Sequence, residues 1–80
     1  MYKDFEVYID TQKKHIDYIN KTVEAHEGLG VVRTIDAKAG KIKIITFENY
    51  LEEIRAIINK LASMDIDVKI SEEREWGGEL

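Results

Sequence analysis

Hydrophobic side chains change their spacing early in the chain, from a period of two to a helical period. Residues 5–10 alternate apolar and polar side chains, which is typical of a strand with one buried face. Residues 12–26 then carry apolar positions at a spacing of about 3.6, with charged side chains on the opposite side. Gly28 stands where a left-handed residue would end such a helix. The predicted helical stripe consists of Ile16, Ile19, Val23 and His26.

The second half of the chain repeats this order after a hairpin. Residues 31–35 and 41–47 are rich in β-branched side chains and predict two strands. The turn between them contains Gly40, which can adopt a positive φ. Apolar positions then recur at helical spacing between residues 50 and 64, and residues 67–71 alternate again. The segment therefore predicts a hairpin, a second helix and a last strand.

The resulting order, β-α-β-β-α-β, predicts an α+β fold of the ferredoxin-like type. Right-handed crossovers turn this order into a four-stranded antiparallel sheet with two helices on one face. With 80 residues the chain has room for one core, so we predict a single domain over residues 1–71 and an acidic C-terminal tail over residues 72–80. A helical hairpin with a separate β-ribbon is the alternative, but it leaves both helical stripes poorly covered.

The hairpin register predicts which side chains occupy the sheet face without helices. Pairing about the turn places Arg33 opposite Lys43 and Ile35 opposite Lys41. Arg33 and Lys43 must point away from the helices, because burying them unpaired costs several kcal/mol. Alternation then assigns the following residues to the open face of the sheet: Glu6, Tyr8, Val31, Arg33, Ile35, Lys41, Lys43, Ile45 and Lys69.

Two features of this face lack an explanation from the fold alone. The like charges of Arg33 and Lys43 repel each other, so we expect compensation by a bound anion, a partner subunit or the tail. Alternatively, their long side chains only shield apolar sheet while the charged ends stay in water. Trp76 lies outside every periodic segment and is expected to dock on its own domain or on a second copy. The predicted binding residues are Tyr8, Arg33, Lys43, Ile45, Lys69 and Trp76.

Composition excludes several classes of function. The chain contains 16 acidic and 12 basic residues and no cysteine, which excludes disulfides and thiolate chemistry and fits a cytoplasmic protein. We recognise no pattern of a signal peptide, membrane span, phosphate-binding loop or nucleophile motif, and we expect neither a cofactor nor a metal. His15 and His26 lie about 16 Å apart on a helix and cannot share an ion. We therefore expect no enzyme activity.

The segment 25–36, together with Gly40, resembles the central pattern of a bacterial family of small domains known only as a domain of unknown function. Residues 16–19 and the later amphipathic helix fit the same pattern. This resemblance implies a compact domain and brings no activity. The fold order is also similar to that of ACT domains, which bind amino acids at dimer interfaces, although their glycine-bearing loop after the first strand is missing. The chain also resembles RNA-recognition motifs, whose open sheet face stacks bases on aromatic side chains, but Tyr8 is the one aromatic residue predicted on this face.

These observations favour a non-enzymatic, ACT-like binding or regulatory module. We expect a homodimer that recognises a small anionic ligand or a protein partner through the open face or its edges. The net charge of -4 argues against nucleic acid and anionic membrane as partners. A domain that binds single-stranded nucleic acid through Tyr8, Arg33, Lys43 and Lys69 is the alternative.

Overall fold

Residues 3–76 are described by the computed structural model of the protein, and within this range the chain forms one sheet and two α-helices. The elements are β1 (Asp4–Asp10), α1 (Ile16–Glu24), β2 (Gly30–Asp36), β3 (Lys41–Phe47), α2 (Leu51–Ser63) and β4 (Lys69–Glu75). Short 3₁₀ turns, Lys13–His15 and Glu48–Tyr50, precede the two helices. The strand order is β2-β3-β1-β4 and every neighbouring pair is antiparallel. The predicted ferredoxin-like βαββαβ arrangement is confirmed.

The core lies between the sheet and the helices and is built from alternate positions of β1 and β3. Ile42 and Ile44 are completely buried, whereas the residues between and beside them reach the other face. This alternation follows from the two-residue side-chain period of a strand. The residues with less than 2% exposure are Val7, Ile9, Ile19, Val23, Ile42, Ile44, Ile54 and Ile58.

Helix α2 is rotated slightly from its predicted orientation. Leu51 and Ile58 are buried, while Tyr50 and Ile57 are only partly buried against the core. Met64, the last residue of the predicted stripe, lies beyond the helix and is 51% exposed. The apolar stripe of α2 is wide, and its centre is set by packing against the sheet rather than by spacing alone.

Helix α1 is shorter than predicted. It ends at Glu24, and His26 is exposed rather than part of the apolar stripe, so that expectation is wrong. The main chain tightens there, since the amide of His26 donates to the carbonyl of Val23. Gly28 has a φ of +77°, as predicted, and Leu29 turns back into the core with 3% exposure.

The hairpin is closed by Gly40, whose φ is +70°. The carbonyl of Gly40 accepts a hydrogen bond from the amide of Thr11, and a Cβ at this position would lie 2.0 Å from the carbonyl oxygen of Thr11. The predicted pairing of Arg33 with Lys43 is present. Nearer the turn the register shifts, and Asp36 rather than Ile35 lies opposite Lys41. The irregularity beside the turn, which spacing did not reveal, accounts for this error.

Strand β4 starts and ends later than predicted, at Lys69 and Glu75 instead of residues 67–71. Residues 72–75 of the predicted tail are therefore an edge strand paired with β1, and they do not lie across the sheet face. The register shifts opposite Tyr8 and Ile9, so that Ser71 is an extra residue in β4. This bulge reverses the alternation and directs Arg74 to the same face as Glu6. Residues 77–80 of the tail lie outside the described range.

Candidate binding site on the open sheet face

The sheet face that carries no helix divides into two regions of different character. At its centre, charged and hydroxyl groups contact one another. Toward the start of β2, large apolar side chains are exposed: Val31 is 49% and Phe47 46% accessible to solvent. We call these regions the ion-pair network, formed by Glu6, Tyr8, Lys43 and Arg74, and the open groove, lined mainly by Val31, Arg33, Ile45, Phe47 and Trp76.

Glu6 is the centre of the ion-pair network. Its side chain is only 7% exposed although it lies on the helix-free face. It accepts hydrogen bonds of 2.8 Å from the hydroxyl of Tyr8 and from Nζ of Lys43. Lys43 is itself 13% exposed, so both partners of this ion pair are largely removed from water. Glu6 therefore neutralises one of the two cations whose repulsion the sequence left unexplained.

Arg74 completes the network from β4. Its Nη2 donates a hydrogen bond to the hydroxyl of Tyr8, and its Nε lies 3.7 Å from Oε1 of Glu6. The guanidinium carbon is 4.6 Å from the ring centroid of Tyr8, a cation–π geometry. Glu72 adds a second carboxylate, 3.4 Å from Nη1 of Arg74. The ring and the hydroxyl of Tyr8 are therefore both engaged within the domain.

The protonation of Glu6 follows from these contacts. Burial raises the pKa of its carboxyl group, but the hydrogen bonds from Lys43 and Tyr8 and the nearby positive charges lower it more, so the pKa lies below its ordinary value. Glu6 is therefore ionised at neutral pH. Two carboxylates, Glu6 and Glu72, balance the two cations, Lys43 and Arg74, and the network needs no external ion.

The open groove is a depression of about 350 Å³ at the start of β2 and the end of β3. Its walls are mostly apolar, and it carries one cation and one anion. The lining residues are Asp4, Gly28, Leu29, Gly30, Val31, Arg33, Ile45, Thr46, Phe47 and Trp76. A volume of this size falls at the lower end of the range of small-molecule sites, about 300–1,000 Å³.

The wall of the groove formed by Leu29 and Gly30 is held tightly against β3. A Cβ added to Gly30 would lie 2.9 Å both from Cγ2 of Ile44 and from the carbonyl oxygen of Ile45, so glycine is required for this close approach. The hydroxyl of Thr46 donates a buried hydrogen bond of 2.6 Å to the carbonyl of Leu29. These contacts fix the loop, and with it Val31 and Arg33 at the start of β2.

Arg33 and Asp4, the two charged residues of the groove, have no side-chain partner in the described part of the chain. Within residues 3–76 neither makes a side-chain hydrogen bond or an ion pair. Arg33 is exposed and lies beside Lys43 on the neighbouring strand. Because Lys43 is neutralised by Glu6, the groove offers one uncompensated guanidinium beside an apolar surface.

The structure separates the six predicted binding residues into three locations. Arg33, Ile45 and Trp76 line the open groove, whereas Tyr8 and Lys43 belong to the ion-pair network. The main-chain amide of Trp76 donates to the carbonyl of Asp4, and its half-buried side chain lines the groove. Lys69 lies opposite Asp10 at the far end of β1, outside both regions.

Several residues of these regions, Val31 among them, are absent from the six predicted binding residues. The alternation that places Ile45 on the open face also places Phe47 there, and the same argument applies to Asp4 and Glu6 on β1. The alternation predicts Glu6 on this face but does not predict its burial, because that burial depends on Lys43 of β3 and Arg74 of β4. Arg74 could not have been assigned, because its direction depends on the bulge at Ser71.

The described residues contain neither a cluster of metal ligands nor a helix that could span a membrane. Among residues 3–76, no three His, Cys, Asp or Glu side chains are grouped so that they could hold a metal ion. Neither of the helices in this range has the length and hydrophobicity that a transmembrane segment requires.

Comparison with known proteins assigns the chain to a family without assigning a function. The profile of one family, described as a domain of unknown function (DUF4911), matches residues 11–64. The match covers both helices and the hairpin, and ends before β4. No curated protein and no solved structure gives a significant match. Because the family profile covers more than half of the sequence, this chain belongs to the DUF4911 family of domains of unknown function.

Proposed function

We propose that this protein is a non-catalytic binding or regulatory module, ACT-like in arrangement, that recognises a ligand or a protein partner through the open groove. The observation that carries the proposal is the contrast on one sheet face between satisfied and unsatisfied groups. Lys43 and Arg74 have carboxylate partners, while Arg33 has none within residues 3–76 and lies among exposed apolar side chains. The absence of cysteine fits the cytoplasm as the site of action.

Exposed apolar surface next to an unpaired cation is typical of a recognition site. Val31 and Phe47 are each about half exposed, and both contribute to one groove with Arg33. Isolated exposed apolar residues need no explanation, but a continuous patch rimmed by polar groups generally marks an interaction surface. The main chain around Gly30 is held by close packing, so the groove is preformed rather than created by a partner.

We further propose a homodimer formed through the β2 edge of the sheet. Strands β2 and β4 are the two edges, and their side chains differ. β4 reads KISEERE, which is charged enough to discourage pairing with another strand, whereas β2 reads GVVRTID with Val31 and Ile35 exposed. Pairing of two β2 strands would extend the sheet and cover apolar residues.

Single-stranded nucleic acid receives less support as a partner. Two of the four residues predicted to bind nucleic acid, Tyr8 and Lys43, are engaged in the ion-pair network. The guanidinium of Arg74 lies over the ring of Tyr8. A base therefore has no free aromatic surface at Tyr8 on which to stack. Arg33 and Lys69 remain, but they lie on the two opposite edge strands, β2 and β4, with β3 and β1 between them.

The proposal is tested by mapping backbone amide shifts of the ¹⁵N-labelled protein with a panel of small probes. The panel contains an anionic, a cationic and a neutral apolar compound, and a poly-dT oligonucleotide. We expect at least one small probe to perturb residues 28–33 and 45–47 and to leave α1 and α2 unchanged. Perturbations confined to the depression between the helices, around Tyr18 and Met64, or none at all, would refute the proposal.

The proposed dimer is tested by sedimentation equilibrium of two matched variants. Ile35→Lys adds a charge to the β2 edge and is expected to shift the protein toward monomer. Ser71→Lys adds the same charge to the β4 edge and is expected to leave the dimer intact. A wild-type protein that remains monomeric at high concentration would refute the dimer, and the proposal of ligand binding in the open groove would stand independently of it.

A further inference from the structure

We infer that the open groove binds a monocarboxylate with an apolar body, and that Arg33 forms an ion pair with the carboxylate. The inference rests on the proposed function and adds the chemical class of the ligand. It is carried by the charge of the groove, by the chemistry of its walls and by the separation of its two charged residues.

At its Arg33 end, the groove selects a single negative group. Arg33 presents a planar guanidinium whose parallel donors match the two oxygens of a carboxylate. Its neighbour Lys43 is already neutralised by Glu6 at 2.8 Å and adds no net charge. One uncompensated cation suits a monoanion, whereas a phosphate dianion would require further positive groups.

The walls of the groove select an apolar body for the same ligand. Val31 and Ile45 lie directly opposite each other on β2 and β3, and Phe47 continues the same face along β3. A chain of methylene groups that starts at Arg33 would cover these side chains. Each methylene removed from water contributes about fourfold to affinity when fully buried.

Asp4 limits what the far end of the ligand can carry. It lies opposite Phe47, whereas Arg33 lies opposite Lys43, two strands away from β1. From standard strand dimensions, their Cα atoms are offset by about 13 Å along the strands and about 10 Å across them. The ammonium and carboxylate of one α-amino acid are too close together to reach both residues. A second carboxylate at the far end of a ligand would instead approach the negative charge of Asp4.

The inference predicts a defined order of affinities for unbranched eight-carbon probes, measured by isothermal titration calorimetry on the full chain. Octanoate is expected to bind, and octanedioate, with a carboxylate at both ends, to bind more weakly. Octylamine, which replaces the anion by a cation, is expected to bind at least about tenfold more weakly than octanoate. Butyrate should also bind more weakly, since it leaves most of the apolar wall uncovered.

Variants of two arginines on the same sheet face distinguish specific binding from general attraction. Arg33→Gln should weaken octanoate binding about tenfold, and Arg33→Lys should retain part of the affinity because the charge remains. Arg74→Gln removes an equally long cation from the ion-pair network and should leave the affinity unchanged. Amide spectra of each variant establish that it is folded before binding is compared.

The outcomes separate this inference from the proposed function. If octanoate binds Arg33→Gln as tightly as wild type, or if octylamine binds as tightly as octanoate, the ligand class is wrong. The proposed function survives that result when another probe of the panel perturbs residues 28–33 and 45–47. If no probe perturbs them, both proposals fail.

Discussion

The ion-pair network and the open groove lie on the same face of the same sheet, but charged side chains are paired in the network and unpaired in the groove. In the network, Glu6 is buried and is contacted by Lys43 and Tyr8 at 2.8 Å. In the groove, Arg33 is exposed and has no carboxylate partner within residues 3–76. One region satisfies its polar groups internally, and the other leaves a cation and apolar side chains facing solvent.

This contrast between paired and unpaired cations shows that charge content alone does not identify a recognition surface. Four cations were expected on this face from the sequence, at Arg33, Lys41, Lys43 and Lys69. Lys43 is bound to Glu6, and Lys41 has Asp10 at 3.3 Å in an exposed pair. An acidic protein therefore neutralises part of its basic sheet face with neighbouring strands. Arg33 and Lys69 have no carboxylate partner among residues 3–76, and of these two cations Arg33 is the one that lines the apolar groove.

The largest effect is expected from removing the central carboxylate of the network. Glu6→Gln leaves Lys43 with an unpaired charge at 13% exposure and should lower the free energy of unfolding by about 2–3 kcal/mol. Asp10→Asn is the matched control on β1, because its pair with Lys41 is exposed and contributes at most about 0.5 kcal/mol. Urea denaturation measures both. Equal losses in the two variants would contradict the view that the network stabilises the sheet.

A smaller effect is expected at the wall of the groove. Gly30→Ala introduces a Cβ 2.9 Å from Ile44 and Ile45 and should destabilise the protein by about 2 kcal/mol. Gly28→Ala meets no atom within 4 Å, and its cost, about 1 kcal/mol, arises from the positive φ of +77°. Thermal unfolding of both variants checks the order. A Gly30→Ala protein as stable as wild type would show that the wall is not tightly held.

Acidification should weaken the ion-pair network. The pKa of Glu6 is lowered in the folded protein, and the pKa of Glu73 is lowered mainly by its hydrogen bond with Arg55. Their stabilising contribution is therefore complete above the ordinary carboxyl pKa of 4.5 and is lost as the pH falls through the lower folded-state values. Urea denaturation as a function of pH should show stability falling below pH 4.5, and the gap between wild type and Glu6→Gln should narrow there. A gap independent of pH would contradict this assignment.

The smallest effect on stability is expected at Arg33, where the effect on binding is expected to be large. Arg33→Gln removes a like charge opposite Lys43 and should raise the free energy of unfolding by a few tenths of a kcal/mol at most. Arg74→Gln should instead lower it, since Arg74 contacts Tyr8 and Glu6. Urea denaturation decides between these signs. A marked loss of stability in Arg33→Gln would place Arg33 among the structural residues.

The sequence was sufficient for the fold because β1 and both helices carry periodic patterns, the hairpin strands are rich in β-branched residues, and the first residues of β4 continue an alternating segment. The pairing of Arg33 with Lys43 also followed from the hairpin, since opposing residues share a face. The direction of Arg74 did not follow, because residues 72–75 show no apolar alternation and the bulge at Ser71 reverses their faces. The burial of Glu6 could not be predicted either, since it depends on cations from β3 and β4 together.

The most direct test of the contrast between the two regions is the octanoate affinity of Arg33→Gln and Arg74→Gln, measured side by side with wild type. Both variants remove one guanidinium from the same sheet face, so their net charge is identical. The account predicts a loss of about tenfold for Arg33→Gln and none for Arg74→Gln. Equal affinities in the two variants, whether both reduced or both unchanged, would contradict it.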